Sequence, residues 1–182
     1  MAGESHTTLP RPVFEGPAPR VLIVCSPYYG EIAAQMVAGA RAEIEAAGGL
    51  AEVIEVPGAL EVPIAIRIAH RGGDYDGFVA LGCVIRGETT HYETVCNDSS
   101  RAITLLGLEG ACIGNGILTV ETLEQAQVRA DAAVQNKGGG AAAAALHLIA
   151  LSRRFSGQGK GVGFRPGGLS LADRGAGGPK TV

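Results

Sequence analysis

Tryptophan is absent from the chain, and phenylalanine and tyrosine number four each, so aromatics make up only 4% of its 182 residues. Much of any core must therefore be Ala, Val, Ile and Leu. Charge is sparse too, at 18% of residues, and the net charge is −3. Residues 1–19 contribute −1 and residues 156–182 contribute +3, which leaves −5 on the middle of the chain. An acidic centre with no basic stripe argues against nucleic acid as the main partner. Every apolar stretch is broken by Gly, Pro or charge before the ~20 residues needed to cross a bilayer, so no membrane span is expected. No basic leader precedes an apolar run, which predicts no signal peptide.

Motif absences narrow the chemistry. The four cysteines, Cys25, Cys83, Cys96 and Cys112, form no CxxC pair, and three of them lie in apolar runs. Free buried thiols in a reducing cytoplasm are expected, rather than a metal cluster or a disulfide framework. His6, His70 and His147 show no HxxxH or HExxH spacing, so no metal site is expected. No GxGxxG or GxxxxGK[ST] stands at a strand end, and no GxSxG elbow occurs.

What is present is apolar surface: 46% of residues are hydrophobic, and the mean hydropathy is +0.20. That excludes disorder of the whole chain, and the length suits one domain with tails. Residues 1–19 hold four prolines and read as a loose arm. Residues 156–182 are Gly-rich and aperiodic and read as a flexible tail. The ordered domain is expected at residues 20–155.

Within it, strand and helix patterns alternate. Val21 to Cys25 is a continuous apolar run, as in a strand buried on both faces. Ile32, Met36, Ala40 and Ile44 form a helical stripe over residues 31–47, ended by Gly48-Gly49. Residues 51–56 predict a second strand. Residues 60–70 predict a helix that tolerates Pro63 in its first turn. The third strand is expected at Phe78–Ile85. Thr90-His91-Tyr92-Glu93 has the form of a capping box, Thr with Glu three residues on, opening a helix to Leu106. A fourth strand is expected at residues 111–119, interrupted at Gly114-Asn115-Gly116. Thr122 to Gln125 forms a second capping box, opening a helix to Val134. Residues 136–140 are expected to break it, before a last Ala-rich helix at residues 141–155. The order β-α-β-α-β-α-β-α-α implies a four-stranded parallel sheet with helices on both faces. Ligands of such sheets bind beyond the carboxyl ends of the strands.

The segments after each strand carry the polar chemistry. After the first come Tyr28 and Tyr29; Tyr28 reads either as a ring for a planar ligand or as a loop aromatic capping the core edge. After the second, Gly58 and Ala59 allow close backbone approach, and Glu61 is either a contact or a first-turn carboxylate favoured by the helix dipole. After the third, Arg86-Gly87-Glu88-Thr89-Thr90-His91 offers a Gly, hydroxyls and free helix N–H groups, a plausible phosphate cradle. His91 in the first helical turn feels the dipole against its imidazolium and a bound phosphate in favour of it, which suits proton transfer near neutral pH. It reads otherwise as a surface His beside a cap. Arg86 reads as an ion-pair partner. Beyond the fourth strand, Glu121, Gln125 and Arg129 share one helical stripe, either a solvated face or an arm reaching an anion across an interface. Lys137 is similarly open.

Taken together, four segments resemble the 6,7-dimethyl-8-ribityllumazine synthase family. They are Pro57–Pro63; Gly82–Tyr92; Asn115–Thr119 with Glu124-Gln125-Ala126 and Arg129-Ala130; and Asn136-Lys137-Gly138. Order and spacing agree over residues 20–155. The resemblance implies a three-layer flavodoxin-like α/β fold and a condensation of 5-amino-6-(D-ribitylamino)uracil with 3,4-dihydroxy-2-butanone 4-phosphate. The product is 6,7-dimethyl-8-ribityllumazine, formed with release of phosphate and water and with no cofactor or metal. It implies Tyr28 on the pyrimidine ring, Ala59, Leu60 and Glu61 on the ribityl side, and the backbone of Cys83, Val84 and Ile85 on the uracil edge. Glu88 and Thr89 fall in the phosphate loop, with Glu88 expected to use its backbone because its carboxylate would repel phosphate. His91 falls at the proton-transfer position. Asn115, Lys137 and Arg129 would come from a neighbouring subunit, Arg129 onto the phosphate.

Tyr28, Leu60 and Asn115 stand where the family often has Phe, so the pocket is expected to be less aromatic. The family forms pentamers, some of which pack into shells; Asp131-Ala132-Ala133-Val134-Gln135 lacks the glycine kink of shell formers, so a free homopentamer is expected. The resemblance does not extend to the tail at residues 156–182. A non-catalytic flavin- or lumazine-binding pentamer is the alternative, and a flavodoxin-like flavin phosphate carrier a weaker one.

Overall fold

Residues 9–158 are described by the computed structural model. They form β1 (Arg20–Cys25), α1 (Gly30–Ala46), β2 (Leu50–Glu55), α2 (Glu61–Gly72), β3 (Gly77–Ile85), α3 (His91–Leu108), β4 (Ile113–Val120), α4 (Leu123–Ala130) and α5 (Lys137–Gln158). The element order is the one the apolar patterning predicts. All four strands pair in parallel, in the order β2-β1-β3-β4. The run Val21–Cys25 is wholly buried because it lies in a central strand with helices on each side.

Side-chain alternation sorts the core into two layers. Val21, Ile23, Cys25, Val79 and Leu81 face α1, α4 and α5, and meet Ile32, Met36, Ile44, Leu146 and Ile149. Leu22, Val24, Phe78 and Ala80 face α2 and α3, and meet Val62, Ile66, Ile103 and Leu106. Among the described residues, Phe78 is the one aromatic among the largest fully buried side chains. With so few rings, aliphatic side chains and alanines fill the space between the sheet and its helices.

Small residues set the spacing on the α1/α5 side. A Cβ on Gly114 would strike the Ala141 carbonyl, and one on Gly138 would strike the Met36 backbone. This close approach explains three departures from the sequence expectation. β4 runs through Gly114-Asn115-Gly116 without interruption, because the glycines let α5 lie against the strand. Gly138–Gly140 open α5 instead of breaking a helix. The break falls earlier: α4 ends at Ala130, not Val134, and a turn follows. Asn136, at φ 43, turns the chain, and its side-chain oxygen accepts the Gly139 N–H at 3.0 Å as a cap on α5.

The two predicted capping boxes differ in outcome. Thr122 accepts the Gln125 N–H at 3.3 Å, and the Gln125 side chain reaches back to the Glu121 N–H at 2.9 Å. Thr90 precedes α3 but caps nothing with its side chain. Glu93, which would complete that box, is taken by Arg86 instead.

Residues 9–19 carry no helix or strand but touch the body at several points. Arg11 bonds Glu43 through both guanidinium contacts at 2.9 and 2.8 Å. Phe14 packs on the core beneath Arg153, which also donates to the Pro17 carbonyl and to Asp76. α5 continues through Gln158, past the boundary expected at residue 155. The rest of the expected arm, residues 1–8, and of the expected tail, residues 159–182, lies outside the described residues.

Candidate active site

Parallel strands end on one side of the sheet, and the polar segments read from the sequence all follow strand ends. A cavity of about 460 Å³ opens there. Ser26, Tyr28 and Tyr29 line it from the end of β1. Residues 57–61 line it from the end of β2, Cys83, Val84 and Ile85 from β3, and His91 and Val95 from α3. Eight of the expected site residues therefore share one cavity: Tyr28, Ala59, Leu60, Glu61, Cys83, Val84, Ile85 and His91.

The local structure explains how each is presented. Tyr28 is 76% exposed, with its ring edge-to-face against Tyr29 at 5.1 Å, so one side chain braces the other and leaves a face open to a flat ligand. Ala59 is buried in the wall. Glu61 opens α2, and its carboxylate lies so close to Gly58 that a Cβ there would meet it at 2.7 Å. Burial pushes the Cys83 thiol up to about 11. It stays protonated at neutral pH and forms wall rather than nucleophile. Burial likewise lifts Cys25 to about 11, with the Glu55 carboxylate adding to it, and raises Tyr29.

His91 begins α3 and lines the cavity, so the first turn of the helix, with its free N–H groups and the positive end of its dipole, borders the site. The Thr89 hydroxyl accepts the His91 N–H at 3.4 Å. Glu88 and Thr89 lie exposed in the loop before the helix and do not line the cavity wall.

Asn115, Arg129 and Lys137 are not in this cavity. They line a second one, also about 460 Å³, along β4 and the facing turns of α4 and α5. The two cavities share no lining residue. β4 is an edge strand, so this second cavity flanks the open side of the sheet. Arg129 is half-buried and donates to the Gln125 carbonyl at 3.0 Å, while Asn115 turns its side-chain oxygen to the Ile117 N–H at 3.0 Å.

Sequence reasoning missed Val95 and Ser26 as wall residues and gave Tyr29 no role. Val95 lies four residues beyond His91 and therefore on the same helix face, which is a signal the sequence does carry. Among the described residues no three His, Cys, Asp or Glu side chains are grouped to hold a metal ion. No described helix is long and apolar enough to cross a membrane.

Known proteins extend the comparison. The family profile described as 6,7-dimethyl-8-ribityllumazine synthase matches residues 18–153. A protein of that name from Jannaschia sp. (strain CCS1) is 56% identical over 174 residues, covering 95% of this chain and 97% of the relative. Its match must therefore include most of residues 156–182, so the C-terminal segment is shared with at least this relative. One from Methylorubrum extorquens (strain PA1) is 56% identical over 140 residues, 74% of this chain and 81% of the relative. One from Erythrobacter litoralis (strain HTCC2594) is 55% identical over 136 residues, 75% of this chain and 97% of the relative.

Proposed function

The chain belongs to the 6,7-dimethyl-8-ribityllumazine synthase family, and from that membership we propose how its two cavities divide one reaction. The enzyme condenses 5-amino-6-(D-ribitylamino)uracil with 3,4-dihydroxy-2-butanone 4-phosphate, giving the lumazine, phosphate and water in riboflavin biosynthesis. The amine forms an imine with the ketone, phosphate leaves, the ring closes and water is lost. The enzyme's tasks are to hold two substrates together and to move protons.

In this reading the first cavity takes the ribitylaminouracil. The open Tyr28 ring stacks on the pyrimidine, the backbone of Cys83, Val84 and Ile85 reads its polar edge, and Ala59, Leu60 and Glu61 meet the ribityl chain. The phosphate of the second substrate sits at the start of α3, against the helix N–H groups, the Thr89 hydroxyl and the Glu88 backbone. His91, in that same turn, relays protons as the imine forms and the phosphate departs. Asn115, Lys137 and Arg129 complete the site from the next subunit, with Arg129 on the phosphate.

The observation that carries this reading is the separation of the expected residues into two cavities with no wall in common. Within one chain Asn115, Arg129 and Lys137 stand apart from the ring-binding cavity, which supports a site completed by a second chain. Exposed apolar side chains on α2 and α3, Ile64, Ile68, Leu105 and Leu108, offer surface for assembly. We assign the assembly as a homopentamer of cytoplasmic subunits organised as a domain at residues 20–155 with terminal extensions.

The test is turnover. Purified protein mixed with both substrates should form lumazine, followed by absorbance, well above a blank without enzyme. A folded assembly that binds ribitylaminouracil and gives no turnover would contradict the reading and leave a binding protein.

A further inference from the structure

Glu93 abandons its expected cap for Arg86, and that contact is one of three on a single guanidinium. Arg86 follows the last residue of β3, and its own N–H bonds the Val120 carbonyl at 3.0 Å. Its guanidinium pairs with Glu93 in the first turn of α3 and with Glu121, just past β4, at 2.6 Å. It also lies over the Tyr92 ring, 4.2 Å from the centroid. Tyr92 and Glu93 are the two residues after His91, so Arg86 contacts the turn that carries the histidine at two successive side chains. The chain of contacts continues: the Glu121 N–H meets the Gln125 side chain, and the Gln125 carbonyl meets Arg129. Arg86 does not line the substrate cavity.

We propose that Arg86 is a positioning residue of the synthase, holding the first turn of α3 so that His91 faces the reacting atoms. The inference rests on the reading of His91 as the proton-transfer group. A planar guanidinium can hold two carboxylates and stack on a ring at once, which a lysine or a neutral side chain cannot do. With Thr90 making no side-chain cap, this cluster takes over the task of fixing the helix start. All three charged side chains are more than 40% exposed, and exposed ion pairs add little to stability. The cluster therefore acts on geometry, and its loss should leave a folded protein.

The test is a double-mutant cycle with the assembled enzyme. Arg86→Gln should lower kcat by about tenfold, since small misplacements of a reacting group cost one to two orders of magnitude, while KM for ribitylaminouracil stays within about twofold. In a His91→Ala background the same change should have no further effect on kcat, because Arg86 acts through His91. Hydrogen exchange should quicken at the amides of residues 91–96 and stay unchanged in α1 and α5. An unchanged kcat, an equal loss in the His91→Ala background, or unchanged exchange in that turn would each overturn the proposal. Should Arg86→Gln fail to assemble, Glu93→Gln removes one arm and is read by the same criteria. Failure of the His91 reading has its own signature, a His91→Ala enzyme as fast as the wild type, and exchange then still decides whether Arg86 holds the turn.

Discussion

At the scale of single residues, the proposed function gives His91 and Arg129 separable tasks, and kinetics can tell them apart. If His91 moves protons at the bond-making step, as proposed, His91→Ala should lower kcat, by about a hundredfold or less because orientation still carries much of the rate. Arg129 in the same proposal supplies a charge-assisted contact to phosphate. Arg129→Ala should cost roughly 1.5–3 kcal/mol of binding, seen as a KM for the phosphate substrate raised by about one to two orders of magnitude. Steady-state kinetics on both variants checks this, and an unchanged KM in Arg129→Ala would make it a surface residue. The candidate residues were legible because their chemistry is written in residue type: Tyr28, Glu61, His91, Arg129 and Lys137 are polar or aromatic groups standing after strand ends. Spacing alone did not show their division between two cavities; only the family resemblance set Asn115, Lys137 and Arg129 apart from the rest. Spacing along the chain places a residue on an element and does not say which elements of one chain meet.

At the scale of elements, strands and helices were readable in number, order and type, because apolar runs and helical stripes report burial directly. The errors cluster where glycine has a tertiary purpose. Gly138–Gly140 looked like a break because glycine is a poor helix former, yet they start α5 against the Met36 backbone. Gly114 looked like a gap in β4, yet it is the place where α5 crosses closest. The capping box at Thr90 failed for a different reason: the long-range partner Arg86 competes for Glu93, and no local pattern announces it. These readings make a contrast that unfolding can measure. Gly114→Ala pushes a Cβ into the Ala141 backbone and should destabilise by about 1–3 kcal/mol, as overpacking does. Gly107→Ala, in an exposed turn of α3 with open space around it, should stabilise by about 0.5–1 kcal/mol. Denaturant titration of both variants checks the pair, and equal midpoints would contradict the packing argument.

At the scale of the whole molecule, the expected site residues line two separate cavities, and the proposed function joins them across a subunit interface. The turn at residues 131–136 lacks a glycine, so the subunits should close into a ring of five without packing further into a shell. Light scattering should give the mass of five 18.5 kDa chains; the mass of sixty would contradict this. The most direct test of the account mixes two crippled enzymes, His91→Ala and Arg129→Ala, unfolded together and refolded into common assemblies. Where an Arg129→Ala chain provides His91 and its neighbour, a His91→Ala chain, provides Arg129, an intact site forms. The account predicts that mixed assemblies form lumazine well above either parent. Activity no greater than the average of the two parents would mean that each chain carries its whole site, and the division between subunits would be wrong.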